Sequence, residues 1–227
     1  MHSPLSETPQ GYPTAFAPAS LPPPGRIAFG LPPLDRLLVP NGLVTLRCPD
    51  PTLLFWLVVR ALVRVPPGPP VLYLHFLDYH ARFWTIKLDA LVRAARRACR
   101  DPRQLLEQVL CVRAFSRDQA EEEGNWERIA RIPAVSFVVV DSIGELYELK
   151  GERNQVLTLG KLNGLCARYG CAALVLDYSS RLHPFLGDLS AVILQLQQAP
   201  GGAAVEILKH PSLPEGRVYL PLAREEG

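Results

Sequence analysis

Apolar positions along the chain recur with two different periods, and the switches between them divide it into short strands and longer helices. Leu43–Arg47 (LVTLR) predicts a strand, and the apolar stretch Thr52 to Val65 is long enough for a buried helix. Pro66 to Pro70 (PPGPP) ends that helix, because proline lacks the N–H that the next turn would donate. Val71–Phe76 (VLYLHF) predicts the second strand. His80 to Arg100 places Leu88, Leu91, Val92 and Ala95 at i, i+3, i+4 and i+7, one apolar stripe on a helix. Val109–Arg113 predicts a strand and Asp118 to Ile132 a polar helix. Phe137–Val140, ending at Asp141, is a continuous apolar run of the kind covered on both faces. Arg153 to Tyr169 predicts a helix closed by Gly170, since glycine adopts the left-handed cap without strain. Ala172–Leu176 predicts another buried strand. Three strands then follow, 190–197, 203–209 and 217–221, with Gly201-Gly202 marking a hairpin between the first two.

The order βαβαβαβαβ plus an extension predicts an α/β fold: a mostly parallel twisted sheet flanked by helices, with a C-terminal antiparallel β-hairpin extension. Ligands of such sheets bind outside the carboxyl ends of the strands. Attention therefore falls on Arg47–Phe55, His75–Ala81, Ala114–Gln119, Asp141–Glu148 and Asp177–Asp188.

Composition adds boundaries. Residues 1–25 hold seven of the 23 prolines and little that could pack, which predicts a Pro-rich flexible tail. Residues 26–222 are expected to form a single core domain, and 223–227 a short charged tail. Apolar residues at 48% and charged residues at 20% suit a globular chain. No apolar run reaches the about 18 residues of a membrane span, and the N-terminus lacks the basic-then-apolar order of a secretory signal. Five cysteines without a C-x-x-C pair argue against a disulfide framework and a zinc ribbon. These features point to the cytoplasm and away from a membrane. A net charge of +2 does not announce a nucleic-acid partner, but twenty of the 24 basic residues are arginine, so their placement matters more than their sum.

Several segments resemble, in order, the core of the RecA/RadA recombinases and their RadB-type paralogues. Gly30-Leu31-Pro32-Pro33-Leu34-Asp35-Arg36-Leu37-Leu38 followed by Asn41-Gly42-Leu43-Val44-Thr45 is similar to the family's lead-in to the first core strand. Val109 to Gln119 is similar to a later strand and helix start. Phe137-Val138-Val139-Val140-Asp141-Ser142-Ile143 resembles the Walker B strand, and Gly170 to Leu176 the strand before the second DNA-binding loop. Ile207-Leu208-Lys209-His210-Pro211 with Leu213-Pro214-Glu215-Gly216 is similar to the "KH…PEG" hairpin. The resemblance spans 26–222 and implies a RecA-like core.

It breaks at the phosphate site. A P-loop needs G-x-x-x-x-G-K-[ST]: glycines expose backbone N–H groups, lysine supplies charge, and the hydroxyl holds Mg²⁺. The matching register, Cys48 to Phe55, puts Cys48, Leu53, Leu54 and Phe55 at the four signature positions. Pro49 and Pro51 remove donors, and Asp50 would repel phosphate. The glutamate that follows the family's second strand is replaced by Leu77, with Asp78 adjacent, and Asp177-Tyr178 stands where a glutamine or asparagine ends the later strand. Asp141 and Ser142 remain, and without a P-loop Asp141 suits a strand-end structural role. The expectation is a pseudo-ATPase with no catalytic residues, no cofactor and no metal.

His75, His80, His183 and His210 lack ligand spacing with a third donor. Cys166 and Cys171 suit small buried apolar roles. Ser142, Ser179 and Ser180 have no nucleophile-elbow motif. Arg93, Arg96, Arg97 and Arg100 share one helical face, with Arg82, Lys87 and Arg103 nearby. Arginine's planar fork suits phosphate, while such a stripe also suits a solvated face or an acidic partner. The resemblance would instead place DNA on loops 143–155 and 178–189, which carry Lys150, Arg153, Arg181 and His183, and makes Lys209 and His210 interface or DNA-facing residues. In the tail, Phe16-Ala17-Pro18-Ala19 fits the F-x-x-A pattern by which these recombinases dock, with Phe16 and Ala19 as anchors.

The expected function is a non-catalytic RecA/RadA-like protein of DNA repair or homologous recombination. It would bind DNA, a recombinase or another repair protein, or a second copy of itself. The alternative is a RecA-like interaction protein regulating the SOS response, cell division or a mutagenic polymerase. Salt-sensitive DNA binding would favour the first.

Overall fold

The structure is a computed structural model. It describes residues 26–76, 88–114, 119, 122–143, 152–179 and 184–221, without the side chains of 152–155. Tail residues Phe16 and Ala19, and Lys150, Arg181 and His183, lie outside these. So do His80, Arg82 and Lys87.

The chain runs α1 (Pro32–Asp35), β1 (Gly42–Arg47), α2 (Pro51–Val63), β2 (Val71–Phe76), α3 (Leu88–Arg97), α4 (Pro102–Glu107) and β3 (Val109–Ala114). It continues through α5 (Glu123–Ala130), β4 (Val138–Asp141), α6 (Glu152–Tyr169), β5 (Ala172–Asp177), α7 (Pro184–Leu189), β6 (Ser190–Ala199), β7 (Gly202–Lys209) and β8 (Gly216–Pro221). The eight strands form one sheet in the order β3-β2-β4-β5-β1-β6-β7-β8. Strands β1 to β6 pair in parallel, and β7 and β8 are antiparallel. The α/β sheet with its C-terminal hairpin is as the hydrophobic pattern predicts.

Four details differ. The pattern groups β6 with the extension, yet it lies parallel to β1 and is the last strand of the parallel set. The short helices α1, α4 and α7 have no counterpart in the hydrophobic pattern. For α4 the local signal was present: Asp101 accepts a hydrogen bond from the Arg103 N–H, and Pro102 sits in the first turn, where a missing donor is harmless.

Each strand alternates between two apolar layers. Val44, Leu46, Tyr73, Val139, Leu174 and Val192 point toward α2, α3 and α4. Leu43, Leu72, Leu74, Val138, Val140, Ala173 and Val175 point toward α5 and α6. Helix α2 is enclosed on nearly every side, with ten consecutively placed residues from Leu53 to Val63 buried apart from Phe55. Its Arg60 is buried too. The Arg60 guanidinium donates to the Phe29 carbonyl at 2.7 Å and the Gly30 carbonyl at 3.1 Å and stacks on Trp56. Burial lowers its pKa to about 10. Asp35 accepts from the N–H groups of Phe29 and Leu31, so the segment before β1 is tied down from both sides. No described helix is long and apolar enough to cross a membrane.

Candidate functional site

The strand–turn–helix in which a phosphate cradle would form is present as β1, Cys48–Asp50 and α2. Its chemistry is different from that of a cradle. Asp50 caps α2 and accepts the Thr52 N–H at 2.8 Å, while Pro51 occupies the first turn. The positive end of the helix dipole therefore faces the chain's own carboxylate. The Gln198 side chain donates to the same carboxylate from β6. Leu53 and Leu54 are fully buried under the sheet, so the position matching the P-loop lysine points into the core. Cys48 is buried as well, and desolvation pushes its thiol up to about 11.

At the carboxyl ends of the strands the parallel register lines up Arg47 with Asp177 and Gln195, and His75 with Asp141. Side-chain alternation sends these to opposite faces. Toward α2, the Asp141 carboxylate accepts the Tyr73 hydroxyl at 2.7 Å, the Tyr178 hydroxyl at 2.9 Å and the Ser142 hydroxyl at 3.1 Å. Asp141 is entirely buried, so these hydroxyls replace the water that an isolated carboxylate would require. Burial and the adjacent carboxylate push the Tyr73 phenol well above its ordinary pKa. His75 Nε2 lies 3.5 Å from Asp141 without a hydrogen bond. Burial lowers the His75 pKa more than Asp141 raises it, favouring the neutral imidazole. Ser142 has φ +61, a left-handed conformation that only a few per cent of non-glycine residues adopt.

On the other face, Arg47 Nε donates to Asp177 at 3.0 Å and its Nη1 donates to Gln195 at 3.1 Å. The second Asp177 oxygen accepts from the Ser179 N–H at 3.0 Å and the Ser179 hydroxyl at 2.5 Å. The arrangement is a closed, mutually satisfied network rather than a set of groups aimed at a ligand.

The basic candidates separate into two groups. Arg93, Arg96 and Arg97 are exposed on α3, with Arg93 paired to Asp89 at 2.8 Å. Arg100 does not share their face. Cys99 takes φ +54 and reverses the chain just past α3, so the Arg100 side chain reaches back to α2. There it donates to the carbonyls of Leu62, Val63 and Val65, and to Gln108. Lys209 donates to the Gly187 and Asp188 carbonyls at the end of α7. His210 Nδ1 accepts the N–H groups of Ser212 and Leu213, shaping the turn before β8. Arg153 lies in α6.

Strand β3 ends the sheet among the described residues. Beside it is a cleft of about 80 Å³ lined mainly by Leu74, Phe76, Val112, Ala114, Trp126 and Ile129, with Arg113, Gln119 and Asn125 at its polar border. The strand-end segments Arg47–Phe55 and Ala114–Gln119 touch Arg47 and the border of this cleft, but the sequence singles out neither its apolar lining nor Tyr73. Tyr73 did leave a signal: a buried hydroxyl in an otherwise apolar strand requires a partner, and i, i+2 spacing puts it beside His75.

No protein-family model matches the chain, and no curated protein sequence does either. Among the described residues no group of three or more His, Cys, Asp and Glu could hold a metal.

Proposed function

We propose that this chain is a non-catalytic, RecA/RadA-like protein of DNA repair or recombination that works by binding and does not turn over ATP. The observation that carries the reading is the β1–turn–α2 unit. It stands at the centre of a parallel sheet, where a phosphate cradle belongs, and is filled by Asp50, Leu53 and Leu54. Asp141 supports it: the carboxylate matching Walker B is surrounded by protein hydroxyls. Parts of four segments of the resemblance, 41–45, 109–114, 138–141 and 172–176, lie on strands of one sheet, and the "KH…PEG" pair flanks the β7–β8 turn. Calorimetry with ATP and Mg²⁺ tests the claim, and micromolar binding overturns it.

Binding can use two surfaces. The exposed arginines of α3 suit a phosphate backbone, and the cleft beside β3 suits an apolar anchor of a partner whose backbone adds to the sheet edge. The internal engagement of Arg100, Lys209 and His210 shrinks the basic surface and favours a second reading, a protein-interaction regulator of the SOS response, cell division or a mutagenic polymerase. Capture from native extract with and without nuclease separates the two. A nuclease-resistant division or polymerase protein, together with no salt-dependent DNA affinity, selects the regulator, and a recombinase or repair protein supports the first reading.

A further inference from the structure

The C-terminal end of α6 has a feature that the proposed function does not use. Gly170 takes φ +61, and the Cys171 N–H donates to the Cys166 carbonyl at 3.0 Å. This is the long hydrogen bond of a Schellman motif, in which the residue after the left-handed glycine packs on the third residue from the helix end. Both residues of that contact are cysteine here. Both side chains are buried, to 1% and 0% exposure, in the apolar layer beneath α6. Cys99 and Cys111 are exposed, and Cys48 is buried on the opposite face of the sheet. Backbone geometry, not chance packing, therefore brings this one pair together.

We propose that Cys166 and Cys171 are a reversible redox pair, which closes an intramolecular disulfide by exchange with a small disulfide such as oxidised glutathione. Cys171 is the attacking sulfur, because the neighbouring Cys166 thiol lowers its pKa, while the pKa of Cys166 is raised. The Cys171 thiolate displaces one glutathione thiolate and forms a mixed disulfide. Cys166 then loses its proton and attacks the Cys171 sulfur, releasing the second glutathione. The protein loses two hydrogens and two electrons, and the reagent gains them. Because both thiols are buried, exchange runs through local opening of the last turn of α6. The bond would tie α6 to β5, the strand that ends in Asp177 and leads to Tyr178, one member of each polar network.

The test uses the Cys99→Ser/Cys111→Ser chain, incubated with oxidised glutathione at urea concentrations below its unfolding midpoint and read by intact mass and peptide mapping. The expected result is loss of two hydrogens, a peptide linking Cys166 to Cys171, and Cys48 still reduced. Adding Cys166→Ala should halt the reaction at a glutathione adduct on Cys171. In the chain that keeps both Cys166 and Cys171, three results overturn the proposal: a chain that stays reduced, glutathione retained on either cysteine of the pair, or a disulfide that forms only above the midpoint.

Discussion

Replacing Arg47 with methionine isolates the ion pair that closes one of the two polar networks. The side chains of Arg47 and Asp177 are 9% and 1% exposed, and their atoms are 3.0 Å apart. Removing one partner of a buried pair costs about 3–5 kcal/mol, because the remaining charge is left without compensation. Asp177 would keep both hydrogen bonds from Ser179, so the expected loss lies at the low end, about 3 kcal/mol. For a chain of this size that lowers Tm by about 6–12 °C, at roughly 2–4 °C per kcal/mol. Gln195 also loses its donor, which adds to the effect. Urea unfolding of Arg47→Met, Asp177→Leu and the double variant forms the assay. The apolar pair in the double variant should recover much of the loss, since an uncharged pair of similar volume needs no solvation. A single-variant loss under about 1 kcal/mol would show that the pair is solvated. Strict additivity would show that the two residues do not act as a unit, and either outcome refutes the reasoning.

Four other predictions follow from individual residues. Arg100→Ala should destabilise by about 1.5–3 kcal/mol, because a charged donor to the carbonyls at the end of α2 is lost. Arg96→Ala, exposed on α3, should stay within about 0.5 kcal/mol, and should weaken binding to a DNA oligonucleotide if that face meets phosphate. Cys99→Gly should stabilise by about 0.5–1 kcal/mol in urea unfolding, since Cys99 holds a left-handed position while exposed; a loss would show that its thiol packs. The folded pKa of His75 lies below its unfolded value of 6.5, so below that pH the unfolded chain binds the proton that the folded one refuses. Stability is then full above pH 6.5 and declines as the pH falls from there toward the folded pKa. His75→Gln should show a smaller fall in urea midpoint between pH 7.5 and 5.5 than the parent, and an equal fall refutes the assignment.

The sequence alone determined the strands, the long helices and the parallel sheet with its hairpin, because those depend on period and on nearby residues. Val71–Phe76 and Ala172–Asp177 are apolar at nearly every position and suit only a sheet buried on both faces. Gly170 closes α6 through a conformation intrinsic to glycine. The absence of P-loop chemistry from Cys48 to Phe55 was equally local. Only the tertiary structure decided which polar groups meet. Tyr73 and Asp141 are 68 residues apart and Arg47 and Asp177 are 130 apart, and strand order alone brings each pair within hydrogen-bonding distance. The face of Arg100 also escaped helical periodicity, because one left-handed residue, Cys99, turns the chain before the stripe is complete. Periodicity describes a residue's direction within its own element. Its buried partners are set by the packing of elements distant in the chain, which is where the buried charges Arg47, Asp141 and Asp177 are matched.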